Sequence, residues 1–221
     1  MFDHPALRAF APLPLQERLF VRARLFSAPL VEIARRVKGP RVLDVGCGHG
    51  LLCALLAWDA PERRVTGIDP DPRKIAWAQA SVGREEGVRF EVATADQLAA
   101  REAGTFDTVT IADVLYLLPE EAQGELLAAT YRLLKPGGLL LLKEAEDDGG
   151  WRTTKALLQE RLMVRILGRT RSSGGLGFRA RSDKRSMLEH AGFEIDEVLA
   201  LSRWSTTPHV LFAASRSARP G

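Results

Sequence analysis

The sequence of 221 residues contains few cysteines, histidines and tyrosines, and it has no long apolar run. Cys47 and Cys53 have no partners at the spacing of a zinc site, and the histidines are scattered, so we expect no metal site and two reduced, structural thiols. No apolar run approaches the roughly 18 residues of a membrane-spanning helix, and the N-terminus has acidic and proline residues where a signal peptide needs an apolar core. These absences predict a cytoplasmic protein, and the ordinary apolar and charged fractions, 46% and 27%, predict a globular one.

A glycine-rich turn joins a predicted strand, Arg41 to Val45, to a predicted helix, Leu51 to Trp58. Gly46 and Gly48 permit positive φ and, lacking Cβ, allow a ligand to approach the backbone closely. The first N–H groups of the following helix would point at that ligand. The pattern therefore predicts a nucleotide-binding turn.

The spacing of the glycines identifies the kind of nucleotide. A dinucleotide fingerprint has its third glycine where this sequence has Leu51, whereas here the third glycine is Gly50. With Asp44 the string reads D-x-G-x-G-x-G, which resembles motif I of the class I S-adenosylmethionine (SAM)-dependent methyltransferases. This resemblance implies SAM as the cofactor, with Asp44, Gly46 and Gly48 in its site.

Two further acidic segments extend the resemblance. Asp69, followed by Pro70, ends a predicted strand from Arg64 and lies where nucleoside-binding folds place a ribose-binding acid. Asp71 precedes Pro72 and is predicted to be a helix N-cap instead. After a third strand, Val88 to Ala93, the residues Asp96 and Gln97 resemble motif III, whose acid meets the adenine amine in the family; Asp96 could equally cap the next helix.

Strands and helices continue to alternate, which is typical of a doubly wound α/β sheet. We predict a fourth strand at Phe106 to Ala112, a helix at Pro119 to Leu134, a stop at residues 135–138 and a fifth strand at Leu139 to Lys143. A helix at Asp183 to Ala191 and strands at Phe193 to Leu201 and His209 to Ala214 follow. The resemblance implies a seven-stranded, mostly parallel sheet in the order 3-2-1-4-5-7-6, with helices on both faces.

Two segments lie outside this predicted core, a helical cap at residues 1–39 and an insertion at about 144–182. Both are rich in arginine with interleaved leucines, for example Arg161, Arg165 and Arg169 in the insertion. In the family such segments commonly cover the methyl group, so their charge favours an anionic or lipid-like acceptor, with peripheral contact to a membrane or an acyl carrier as a further hypothesis. The alternative is that they are solvated basic faces.

The residues after the fourth strand resemble motif IV of the family, which faces the methyl group. Ala112 is accordingly expected beside the cofactor, while Asp113, Tyr116 and Glu144 are candidate catalytic residues that would accept or orient a proton. Each has a structural alternative. Asp113 could bind the methionine part of SAM, Tyr116 could pack in the cap, and Glu144 could form a local ion pair with Lys143.

The resemblance thus implies methyl transfer from SAM to a small-molecule or lipid-like acceptor. Nucleic acid is not expected as the substrate, because the loop type that holds a flipped base is absent after the fourth strand and no RNA-binding domain is appended. A catalytically silent SAM-binding protein and, less favoured by the glycine spacing, a nicotinamide-dependent oxidoreductase stay open. The pattern selects neither an acceptor atom nor an oligomeric state.

Overall fold

In the computed structural model, which describes residues 4–145, 181–201 and 209–218, seven strands form one sheet in the order β3-β2-β1-β4-β5-β7-β6. The strands are β1 Arg41–Val45, β2 Arg64–Asp69, β3 Val88–Val92, β4 Phe106–Ala112, β5 Leu134–Ala145, β6 Phe193–Ala200 and β7 His209–Arg216. Strands β1 to β5 pair in parallel, and β7 lies antiparallel between β5 and β6. The predicted topology is therefore confirmed.

Helices cover both faces of this sheet. They are α1 Leu15–Ser27, α2 Leu30–Ala34, α3 Leu51–Asp59, α4 Pro72–Ala80, α5 Ala95–Glu102, α6 Glu120–Leu133 and α7 Arg181–His190. Side chains alternate along the strands, so Val42 packs with α1 to α4 in one core, whereas Leu43 packs with α5 to α7 in the other. Near-continuous apolar strands such as β5 are buried by these two layers.

The connection between α6 and β5 differs from its prediction as a stop followed by a separate strand. The strand begins at Leu134, directly after the helix, and Leu134 pairs with Phe106. Thr108 then pairs with Leu139, so residues 135–138 form a bulge within the strand, with Gly137 at φ 75°. The proline and two glycines therefore create an irregularity in β5 and leave the strand continuous.

Other local predictions agree with the structure to within one or two residues. Asp71 caps α4 by accepting a hydrogen bond from the backbone N of Arg73, with Pro72 at the first helical position. Residues 5–34 contain helical segments, as expected for the N-terminal segment. The predicted basic insertion at about 144–182, including Arg161, Arg165 and Arg169, lies almost wholly outside the described residues. Among the described helices, none is both long and apolar enough to cross a membrane.

Candidate functional site

The glycine turn after β1 is built by backbone conformation and by its attachment to β2. Gly46, Gly48 and Gly50 all have positive φ, at 71°, 55° and 79°. The backbone N–H groups of Gly46 and Cys47 both donate to the carbonyl of Ile68, at 2.8 and 3.0 Å. The turn is therefore fixed against the end of β2, and α3 begins immediately after it.

The first two glycines are required for different reasons. A Cβ on Gly46 would lie 2.5 Å from Cγ2 of Val114. The lack of a side chain at Gly46 therefore leaves room for Val114, which follows β4. Around a Cβ on Gly48, the described part of the chain places no heavy atom within 4 Å. Gly48 therefore faces open space at the carboxyl edge of the sheet, where parallel α/β sheets bind ligands. This opening fits a nucleoside that approaches the backbone.

Asp69 lies beside that opening and is almost fully buried. Its Oδ2 accepts a hydrogen bond from the N–H of Gly48 at 3.1 Å, and its Oδ1 accepts one from the N–H of Asp71 at 2.9 Å. The Lys74 Nζ is 3.6 Å from Oδ2. Because a carboxylate has about four acceptor positions, the two oxygens retain capacity for two ribose hydroxyls. Pro70 follows on the exposed side of the turn.

Asp44 lies inside the sheet, where it is 3% exposed. Its Oδ1 accepts a hydrogen bond from the Thr110 hydroxyl at 2.8 Å, and the Cys53 thiol donates to Oδ2 at 3.6 Å. Burial raises the pKa of Asp44 to about 7, although these hydrogen bonds oppose the shift. Both oxygens of Asp44 thus tie β1 to β4 and α3. Cys47 and Cys53 are buried free thiols, as expected.

The residues that resemble motif III have other partners in the structure. Thr94 is the N-cap of α5, and its backbone N–H donates to Oε1 of Gln97 in a capping box. Asp96 caps nothing; its exposed carboxylate pairs with Arg132 on α6 at 2.6 Å. The alternative in which Asp96 caps the helix is wrong, because Thr94 is the N-cap. The structure gives Asp96 and Gln97 local roles, so their adenine contact stays only a prediction.

A buried ionic cluster lies where β4 and β5 end. Asp113, which follows β4, is the one non-glycine residue with positive φ in the described chain, at 60°. Its carboxylate pairs with Nζ of Lys143 at 2.6 Å and with Nη2 of Arg24 from α1 at 2.5 Å. Burial would raise the pKa of Asp113, but these two cations outweigh it and hold that pKa well below its ordinary value. Asp113 is therefore an ionised ion-pair partner.

Glu144 points away from Lys143, since adjacent strand residues face opposite sides of a sheet. Its Oε1 accepts hydrogen bonds from the N–H groups of Val114 and Leu115, both at 3.0 Å, and its Oε2 has no hydrogen-bond partner among the described residues. Burial raises the pKa of Glu144 to about 7. The alternative of a local ion pair between Glu144 and Lys143 is wrong, because Lys143 pairs with Asp113.

Helix α1 lies over the site from the N-terminal side, and the sequence did not single out the residues through which it makes contact. Oε2 of Glu17 lies 2.8 Å from Nε2 of His49 in the glycine turn, and the Phe20 ring lies 5.2 Å from the His49 ring. Arg24, two turns after Glu17, reaches Asp113. The only signal in the sequence was the spacing of Glu17, Phe20 and Arg24 on one helical face.

The remaining site residues lie at the same edge of the sheet. Ala112 ends β4 opposite Lys143. Tyr116 lies in the 3₁₀ turn Leu115–Leu117 and is 8% exposed. His209, which the sequence did not single out, begins β7 opposite Ala145, and burial lowers the pKa of His209 to about 4. Within the described ranges no group of three His, Cys, Asp or Glu could hold a metal ion.

Comparison with known proteins identifies relatives of this arrangement. A family model described as "Methyltransferase domain" matches residues 42–138. The chain is 31% identical over 180 residues to a ubiquinone biosynthesis O-methyltransferase of Pseudomonas aeruginosa, covering 79% of this chain and 73% of that protein. A protein of the same name from Xanthomonas axonopodis pv. citri is 38% identical over 138 residues, or 62% of this chain; the match spans only 50% of that relative.

A solved structure extends the comparison to three dimensions. The SAM-dependent methyltransferase SibL in its apo form superimposes with a TM-score of 0.66 and 28% identity, over 96% of this chain and 62% of that one.

Proposed function

The chain belongs to the class I SAM-dependent methyltransferase family, and from this premise we propose that it transfers a methyl group to an oxygen atom of a small, lipid-like acceptor. Gly48 is the observation that carries the proposal. Its left-handed backbone, its open Cβ direction and its 3.1 Å contact with the buried Asp69 together make a cradle for a nucleoside. A glycine that served only the conformation of the turn would not need open space beside it.

The chain offers distinct groups to the parts of the cofactor. Asp69 would accept the ribose hydroxyls, and the Gly48 backbone would lie against the nucleoside. Asp44 acts indirectly, because it holds β1, β4 and α3 together beneath the turn. SAM, when bound, supplies a methyl group already activated on a sulfonium. The protein's contribution is then alignment of the acceptor and exclusion of water.

Among the candidate proton acceptors, Glu144 is better suited than Asp113. Asp113 is held ionised by Lys143 and Arg24, and a carboxylate with a strongly lowered pKa is a weak base. Burial raises the pKa of Glu144 to about 7, and its buried Oε2 has no hydrogen-bond partner among the described residues. We propose that Glu144 accepts the acceptor's hydroxyl proton, which requires the hydroxyl to reach the buried Oε2, and that Asp113 has a positioning role. Tyr116, two residues beyond Val114, would orient the acceptor.

The acceptor class is supported by the names of the curated relatives. The curated relatives are named as O-methyltransferases of ubiquinone biosynthesis, which supports oxygen as the acceptor atom and a lipid-like molecule as its carrier. An acceptor with an apolar tail and an ionisable hydroxyl fits these names.

Calorimetry with S-adenosylhomocysteine (SAH) tests the cofactor half of the proposal. Asp69→Ala should weaken SAH binding by about 1.5 to 3 kcal/mol, the range for hydrogen bonds to a charged group. Asp71→Ala is the matched control, because Asp71 is the neighbouring acid but caps α4 and pairs with the exposed Arg73. Equal SAH affinity in both variants, with the fold intact by circular dichroism, would contradict the assignment of Asp69.

Methyl incorporation tests the chemical half. Labelled SAM is offered with hydroxylated aromatic compounds that carry or lack an alkyl tail, and we expect transfer to oxygen with a preference for the tailed compounds. Glu144→Gln should lower the rate of transfer without changing SAH affinity, and the rate should no longer rise with pH near 7. Tight SAH binding without transfer to any oxygen acceptor would make the chain a SAM-binding protein without this activity.

A further inference from the structure

Helix α1 exposes large apolar side chains on the side that faces away from the site. Leu15 and Leu19, one turn apart, are 67% and 56% exposed. Arg18 and Arg22 lie beside them at the same one-turn spacing. We call these four residues the outer face of α1.

The arginines of this surface differ from most others in the described chain. Arg24, Arg36 and Arg63 each pair with a carboxylate. By contrast, Arg18, Arg22 and the nearby Arg8 form no ion pair within the part of the chain that the structure describes. Three guanidinium groups without carboxylate partners attract an anion from outside the chain.

These arginines surround a depression with an apolar lining. It has a volume of about 190 Å³ and is lined by Leu7, Phe10 and Ala11 together with Arg8, Arg18 and Arg22. The Arg side chains can keep their charged ends at the rim while their methylene stems lie along the apolar wall. The depression thus joins apolar surface to positive charge over a short distance.

The inner face of α1, which points toward the site, has charged side chains that are paired with residues of the site. Glu17, the one acidic residue of the helix, is buried against His49, and Arg24 is paired with Asp113. The successive 100° rotations of an α-helix place Glu17 and Arg24 roughly opposite Leu15 and Leu19. The outer face therefore has no carboxylate of its own helix to repel an anion.

We propose that the outer face of α1, with Arg8, docks onto a bilayer that contains anionic phospholipids. Leu15 and Leu19 enter the headgroup region, and the three arginines contact lipid phosphates. Apolar side chains with flanking Arg on one helical face have the composition of helices that lie at a membrane interface. An acidic protein surface would satisfy the arginines but would leave the two leucines without an apolar environment, so a bilayer is the better occupant.

Vesicle co-sedimentation of the full chain tests this docking. We expect binding to vesicles in which about a third of the phosphatidylcholine is replaced by phosphatidylglycerol, and little binding to phosphatidylcholine alone. Arg18→Gln with Arg22→Gln, and separately Leu15→Ser with Leu19→Ser, should each lower the partition coefficient roughly tenfold or more. Raising the salt toward 1 M should remove most of the binding of the leucine-intact protein, because screening shortens the Debye length to about 3 Å.

Matched variants elsewhere serve as controls. Arg101→Gln with Arg132→Gln removes the same charge from α5 and α6, on the other face of the sheet. Trp58→Ser removes an exposed apolar side chain, 55% exposed, from α3. Both controls should bind vesicles as the parent chain does, and all variants should keep their SAH affinity.

Three outcomes would overturn the inference. Equal vesicle binding by outer-face and control variants would show nonspecific attraction, and a large loss of thermal stability in the leucine variant would show that the chain itself covers this face. Capture of an acidic carrier protein, with no vesicle binding, would assign the face to that partner. The inference extends the proposed lipid-like acceptor, but vesicle binding needs neither cofactor nor acceptor, so each proposal can fail without the other.

Discussion

At the scale of single residues, Gly46 and Gly48 adopt similar left-handed backbone conformations in one turn but serve different purposes. Gly46 is held close to Val114, whereas Gly48 faces open space. The sequence identified both glycines from their spacing, yet only the structure separates packing from ligand approach. This distinction makes a paired substitution informative.

We predict that Gly48→Ala lowers SAH affinity by more than about tenfold while costing only about 1 to 2 kcal/mol of stability, the strain of an L-residue at positive φ. Gly46→Ala should lose more stability than this, because its methyl group also collides with Val114. Urea denaturation and SAH calorimetry on both variants measure the two effects. If Gly48→Ala binds SAH as the parent does, this glycine serves the turn only.

Asp113 gives a second prediction at this scale. Asp113→Asn keeps a residue that tolerates positive φ but leaves Lys143 buried without its counter-charge, so we expect a loss of about 3 to 5 kcal/mol of stability. Asp96→Asn, which breaks the exposed pair with Arg132, should cost about 0 to 1 kcal/mol. Adding Lys143→Met to Asp113→Asn should recover part of the loss. Similar urea midpoints for Asp113→Asn and Asp96→Asn would contradict this account.

At the scale of elements, α1 is joined to the rest of the site by two polar contacts on one helical face. Glu17 meets His49 in the turn after β1, and Arg24 meets Asp113 after β4. These contacts reach the carboxyl ends of the two strands, β1 and β4, that flank the proposed cofactor site. The helix therefore lies across the opening of the site.

We predict that Glu17→Gln combined with Arg24→Ala speeds hydrogen exchange of the α1 amides by roughly tenfold or more, equivalent to about 1.4 kcal/mol of local stability, while β1 and β4 are unchanged. SAH should also dissociate faster from this variant. Arg18→Ala, on the outer face of the same helix, is the control and should change neither. Uniform acceleration across the whole sheet would indicate global destabilisation instead.

Most elements were predictable because their signals are local. Strand–turn–helix patterning located β1 and α3, and Asp71 with Pro72 marked the start of α4. Residues 135–138 were misread as a stop because Pro and Gly mark a bulge as readily as a turn, and only the pairing of Leu134 with Phe106 distinguishes them. The partners of Asp113 could not be predicted, since Arg24 lies 89 residues away. Tertiary contacts of that kind determine which buried acid is held in ion pairs and which is left as a candidate proton acceptor.

At the scale of the whole molecule, the buried titratable groups make the free energy of unfolding depend on pH in opposing directions. Asp44 and Glu144 have pKa values near 7 in the folded chain, above their ordinary values of 3.8 and 4.5, so they bind protons more tightly when folded. Their contribution to stability is present at low pH and is lost as pH rises toward 7. Asp113 and His209 have lowered pKa values, and their contributions are lost as pH falls.

We predict that Asp44→Asn changes the pH dependence of stability in a defined direction. Relative to the parent, the variant should gain up to about 1.4 kcal/mol for each pH unit between about 4 and 7, because the folded parent keeps a proton on Asp44 that the unfolded parent has released, and the variant has no such proton. The comparison cancels the contributions of Glu144, Asp113 and His209, which both proteins share. Urea midpoints at several pH values from about 5 to 8 measure it, and parallel curves would contradict the assigned shift.

The position of β7 in the sheet also affects how the chain folds during its synthesis. His209–Arg216 follows β6 in sequence but lies between β5 and β6, so until the ribosome has released it, β5 presents an unpaired edge of apolar residues. Until β7 is available, this edge of the nascent chain is exposed to intermolecular strand pairing and to chaperone capture. A chain that ended before residue 209 would contain the parallel strands β1 to β5. The edge of β5 would lack its partner β7, and the core along that edge would be uncovered.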